Sequence, residues 1–167
     1  MKNNVRLFLK YSKFCILNSA FCIFLSAFSF GQEIEWQNTI GASGNDDVTD
    51  IIQTTDGGYM IGGHSLSGIS GDKTENCIGY QDIWVVKINS AGGVVWENTI
   101  GGTGGDMLYS IKQTMDGGYI LGGQSTSNIS GDKTENSIGD WDYWIVKIDA
   151  FGNIQWQNTI GGNVRDE

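Results

Sequence analysis

Apolar side chains occupy alternate positions at Trp84, Val86 and Ile88 and again at Trp144, Val146 and Ile148, and the positions between them carry Ile83 and Val85 or Tyr143 and Ile145. A period of two predicts a strand, and apolar residues on both faces predict a strand covered on both sides. Turn signals set off three further strand candidates around the first of these, so strands are expected over 48–54, 59–65, 82–89 and 94–100. Asp56-Gly57-Gly58 and Ala91-Gly92-Gly93 supply the tight turns, because glycine adopts the positive φ that hairpins need. A long polar loop joins the second strand to the third. No segment shows helical spacing.

The same layout returns after sixty residues. Residues 36–95 overlay 96–155 without a gap and agree at 34 of 60 positions, which establishes an internal repeat. Trp36, Trp96 and Trp156 mark the period, and each unit passes through a DGGY turn, ISGDKTEN and an apolar strand ending VKI. A third copy begins over 156–167. The expected organisation is therefore a leader over 1–31, a first repeat over 36–95, a second over 96–155 and the start of a third.

The leader differs in kind from the repeats. Lys2, Arg6, Lys10 and Lys13 precede an apolar run from Phe14 to Phe30, and small residues at Ser29 and Gly31 suit a signal peptidase, so export with cleavage before Gln32 is expected. A spanning helix would need about 20 largely apolar residues, whereas this run is interrupted by Asn18-Ser19, so no membrane span is expected after cleavage. Removal would take four of the ten basic residues and none of the nineteen acidic ones, leaving six against nineteen and a charge of −13. Such a chain repels phosphate backbones, and nucleic acid is excluded as a partner. Only Cys77 would remain of the three cysteines, so no internal disulfide is possible. The 25 glycines show no Gly-X-Y period, which excludes collagen.

Repeated four-stranded units, greasy front and back, predict an all-β fold: a partial β-propeller of four-stranded antiparallel blades. On DGGYILGGQS, SGDKTEN, DYWIVKID and GNIQWQNTIGG, the chain from Trp36 onward resembles the β-propeller-like repeats of secreted and surface proteins of Bacteroidetes. The resemblance implies a longer protein that ends in a sorting domain of the type IX secretion system. Propellers close with about four to eight blades, so two units and a fragment are expected to be the start of such a chain.

The loops 65–81 and 125–141 carry the candidate chemistry. Asp72, Glu75, Asn76 and Asp82, with Asp132, Glu135, Asn136 and Asp142 in the second repeat, are hard oxygen donors of the kind calcium takes. Lys73 and Lys133 fall inside both sets, and no EF-hand spacing is present. The competing expectation is that Ser and Asp side chains in these loops bond the loops' own backbone amides. Apart from calcium no cofactor is expected. Asp149 to Gly152, before Trp156, resembles the Asp-box hairpin of sialidase-type propellers, in which an aspartate caps a turn above a tryptophan. Trp36, Trp84, Trp96, Trp144 and Trp156 keep phase with the repeat and are expected to be packing residues, while Trp141 aligns with Gln81 and is a candidate exposed contact. His64 and Cys77 align with Gln124 and Ser137, so neither is repeated, and a serine triad, a Cys-His pair and a histidine zinc site all lack parts. Lys87 and Lys147 are expected to reach a carboxylate or the surface. The expected function is a secreted or cell-surface, non-catalytic interaction module for a surface protein or glycan. The alternatives are a fragment of a glycosidase- or sialidase-like enzyme and a calcium-stabilised adhesin-like array.

Overall fold

The computed structural model describes residues 33–166, and the expected export segment lies outside the described residues. Eight strands run in chain order: β1 (Asp46–Gln53), β2 (Tyr59–Ser65), β3 (Asp82–Ile88), β4 (Val94–Ile100), β5 (Asp106–Gln113), β6 (Tyr119–Ser125), β7 (Asp142–Ile148) and β8 (Ile154–Ile160). They form two antiparallel meanders of sheet order β1-β2-β3-β4 and β5-β6-β7-β8. There is no helix among the described residues, and neither sheet closes on itself.

The DGG turns fold as their composition dictates. Gly57 and Gly117 take φ of 83° and 84°. Asp56 Oδ1 accepts from Thr54 Oγ1 and the Gly58 amide, and Lys87 reaches over from β3 to the same carboxylate at 2.9 Å. The second repeat duplicates this with Asp116 and Lys147 at 3.0 Å. The Thr114 hydroxyl and then the Lys147 ammonium hold the Asp116 carboxyl down at about 2, and Asp56 is held below the ordinary carboxylate range by Thr54 and Lys87. A carboxylate depressed on folding stabilises above its unfolded pKa of about 3.9 and loses that contribution as pH falls through the folded value. These pairs are therefore expected to add a modest, solvent-screened loss of thermal stability between about pH 4 and pH 2, and the paired Asp56→Asn, Asp116→Asn variant is expected to show a flatter acid limb.

The two sheets stack face to face. Met60, Ile83, Val85 and Ile100 of the first sheet form one buried cluster with Leu108, Ile111, Leu121, Trp144, Val146 and Ile148 of the second. The opposite face of the first sheet carries a smaller cluster of Trp84, Val86 and Ile88, with Trp36, Ile40, Tyr59 and Ile61 against it. Every residue of β3 is thus buried, as the apolar pattern on both faces requires. A bulge at Thr49, and its copy at Tyr109, breaks the alternation of the first strand of each sheet. Leu108 and Ile111, three apart, consequently face the same way.

Glycine within β2 has its reason in this stacking. A Cβ on Gly62 would lie 2.4 Å from Leu108 Cδ2 and 2.5 Å from Ile111 Cδ1, so only a hydrogen fits under the next sheet. Gly122, at the same place in β6, has nothing within 4 Å. Gly62→Val is expected to cost about 1–3 kcal/mol by overpacking, and Gly122→Val far less. Urea unfolding of the two variants side by side checks this difference.

Candidate binding surface

The ISGDKTEN loop is built as a clamp between neighbouring elements. In the first repeat the Asp72 amide donates to Gly41 O at 3.0 Å, and Asp72 Oδ2 accepts from the Gly41 amide at 3.1 Å. The second repeat ties Asp132 to Gly101 in the same way, across the boundary between the sheets. Lys73 is buried, with Nζ 5.7 Å from the Trp84 ring centroid and bonded to Thr99 Oγ1. Lys133 repeats this, 5.5 Å from the Trp144 ring centroid and 2.8 Å from Thr159 Oγ1. Glu75 Oε2 accepts from the Thr99 amide at 2.8 Å, Glu135 Oε2 accepts from the Thr159 amide at 2.5 Å, and Asn76 and Asn136 accept from the amides of Ile69 and Ile129 at 3.1 Å. Asp82 Oδ2 accepts from the amides of Ile78 and Gly79, and Asp142 Oδ2 from those of Ile138 and Gly139.

All eight candidate calcium ligands therefore hold backbone amides. Only Asn76, Asp82 and their copies serve their own loop, while Asp72 and Glu75 reach other segments. Among the described residues no group of three or more His, Cys, Asp or Glu side chains is arranged to hold a metal. Three buried carboxylate oxygens nevertheless lack a hydrogen-bond donor: Oδ1 of Asp82, Asp106 and Asp142. Burial, and after it the charge of Asp106, raises the pKa of Asp82; burial, and after it the charges of Glu75 and Asp106, raises that of Asp132. Asp106 is the acid that sequence reasoning missed. Its signal was present, since aspartate recurs at 46, 106 and 166 in step with the repeat.

The sequence-predicted turn caps are in place. Asp149 Oδ1 accepts from the amides of Phe151 and Asn153, and Asn89 Oδ1 from those of Ala91 and Gly93. The tryptophan against each turn lies far before it in the chain, at the start of the same repeat, unlike the Asp-box arrangement, which takes the tryptophan that follows the turn. Trp36 lies on Gly92 and Trp96 on Gly152, where φ of 80° and 91° and the absence of a side chain admit the ring. Trp36 and Trp96 also meet Tyr59 and Tyr119 edge-on, at 5.8 and 6.4 Å between centroids. Trp156 has no such partner turn among the described residues and is half-exposed. Trp141 is half-buried, beside Gly105 and under the Arg165 guanidinium.

No protein-family model and no curated protein matches the chain.

The remaining reactive side chains are also engaged. Cys77 Sγ donates to Ser65 O at 3.0 Å, burial raises its pKa, and Ser137 makes the equivalent bond to Ser125 O. His64 Nε2 lies 3.5 Å from Asp47 Oδ2. It borders a cavity of about 180 Å³ on the outer face of the first sheet, lined also by Ile40, Val48, Ile61, Trp84 and Val86. Along the loops Ser67, Lys73, Ser127 and Lys133 are buried, whereas Ile69, Ile78 and Tyr80, with Ile129 and Ile138 in the second repeat, stay exposed beside polar residues such as Thr74, Asn76, Thr134 and Asn136. No helix of the described residues is long and apolar enough to cross a membrane.

Proposed function

We propose that the two sheets are successive blades of a β-propeller-like array and that the chain is a secreted or cell-surface, non-catalytic interaction module. The observation that carries this reading is the division of labour in the 65–81 and 125–141 loops. Many of their acids, amides and lysines are engaged with backbone or buried partners, within the loop or on neighbouring segments, while the large apolar side chains Ile69, Ile78, Tyr80, Ile129 and Ile138 are left exposed among polar residues. Exposed apolar and aromatic side chains on tied-down loops suit contact with a protein or with the apolar face of a sugar. The leader supports export, and the resemblance to Bacteroidetes surface repeats agrees with it. Screening the protein against arrayed glycans and surface proteins, beside fluorogenic glycosides, tests the reading. Binding that Tyr80→Ala weakens, without turnover, is expected, and turnover of any glycoside would refute the non-catalytic role.

A second reading, calcium within the array, has one observation in its favour: the donorless buried oxygens of Asp82, Asp106 and Asp142. Melts with calcium and with chelator decide it. A midpoint that chelation lowers and calcium restores, and that Asp106→Asn makes insensitive to both, would establish the metal; an unchanged midpoint removes it.

A further inference from the structure

The junction between the two sheets shows what each outer face of the chain lacks. Ile83 and Ile100 are wholly buried under the second sheet, whereas Tyr143 and Ile160, sixty residues on, are 41 % and 48 % exposed. Met60 and Val85 are buried, and their counterparts Ile120 and Ile145 only half so. The other end mirrors this. Leu108 and Ile111 are fully covered by the first sheet, while Val48 and Ile51 in β1 are 67 % and 57 % exposed. Gly62 is pressed by Leu108 and Ile111, and Gly122 faces open space. One end thus displays the giving half of the internal junction, and the other displays the receiving half with its cavity beside Val48, Ile61 and Trp84.

We propose that the outer face of the second sheet docks on the outer face of the first sheet in a second copy of this chain, repeating the internal junction head to tail. Val48 and Ile51 take the places of Leu108 and Ile111 against Gly122, and Tyr143, Ile145 and Ile160 take those of Ile83, Val85 and Ile100. The contact is heterologous, so it propagates or closes into a ring. Two to four copies would bring together about four to eight sheets, the range in which such rings close.

The receiving face already holds a stand-in for the incoming edge. Residues 36–41 read WQNTIG, and residues 156–161, covering most of β8 and the glycine after it, read the same. The lead-in copy lies where Trp96 to Gly101 lies in the internal junction: Trp36 on Gly92, Asn38 Nδ2 donating to Gly92 O at 2.8 Å, and the Gly41 amide on Asp72. In the internal junction Asn98 makes the equivalent 2.8 Å bond to Gly152 O. A docking β8 exchanges with this segment residue for residue, as in a domain swap. The net gain is the apolar sheet face covered behind it. The inference rests on neither export nor ligand binding.

Sedimentation of the full chain at rising concentration tests it. The wild type is expected to form complexes of two or more copies. A receiving-face variant, Val48→Asp with Ile51→Asp, and a giving-face variant, Tyr143→Asp with Ile160→Asp, are each expected to remain monomeric, with Gly122→Val as an independent block of the giving face. Mixing the two double variants should restore a one-to-one pair and nothing larger, because each keeps the half the other has lost. Trp36→Ala, which loosens the stand-in, should shift association to lower concentration. The proposal fails if the wild type stays monomeric throughout, if either double variant associates alone, if the mixture does not pair, or if a chain altered on both faces still associates. Melting curves of the variants matching that of the monomer confirm that each has folded.

Discussion

Trp144→Ala is expected to remove about 3–5 kcal/mol of folding stability, the cost of emptying a large aromatic site in a packed core. The indole is fully buried at the junction of the two sheets, in one cluster with Ile83, Val85 and Ile100 from the first sheet. Its Nε1 donates to Gln157 Oε1 at 3.1 Å, and Lys133 Nζ sits over the ring. The truncation therefore opens a cavity, removes one of the two donors to Gln157 Oε1 and uncovers a buried cation. Trp156→Ala is the control, since that ring also recurs with the repeat but is half-exposed. Guanidinium unfolding should separate the two variants by several kcal/mol. Similar losses would mean that burial between the sheets does not set the cost of removing a tryptophan.

Lys133→Met should cost about 3 kcal/mol at neutral pH, although methionine fills a similar volume. The ammonium is buried against Trp144 and Thr159, and burial lowers its pKa while the negative charges of Asp106 and Asp142 pull it back up. Both aspartates are fully buried, so removing the cation leaves them uncompensated. Guanidinium unfolding of the variant and the wild type at pH 7 checks this loss. A variant as stable as the wild type would show that the buried acids do not depend on Lys133.

Much of the strand layout was legible because it rests on local rules. Alternation at 82–88 and 142–148, with glycine turns at fixed offsets, placed the four strands of each unit close to their observed bounds. The first strand of each sheet begins two residues earlier than expected, at Asp46 and Asp106, whose polar side chains carry no strand signal. The bulges at Thr49 and Tyr109 set Leu108 and Ile111 on one face, a pairing that a strand's period of two does not give. Less of the candidate surface could be read. The clamp from Asp132 to Gly101 joins residues 31 apart in different sheets, and the pairing of Trp96 with the turn at Gly152 spans a still longer interval. Such partners are chosen by the stacking of units, which local sequence does not encode. For the same reason equal sequence does not mean equal environment here: Gly62 and Gly122, or Trp96 and Trp156, differ only in having a neighbouring unit.

Distances between the α-protons of Gly62 and the methyl groups of Leu108 and Ile111, measured by nuclear Overhauser effects, test the stacking most directly. The geometry predicts strong cross-peaks from Gly62 to both side chains, and no such pair from Gly122 in the monomer. Silent protons at Gly62, with Leu108 and Ile111 methyls relaxed by a soluble paramagnet, would contradict it.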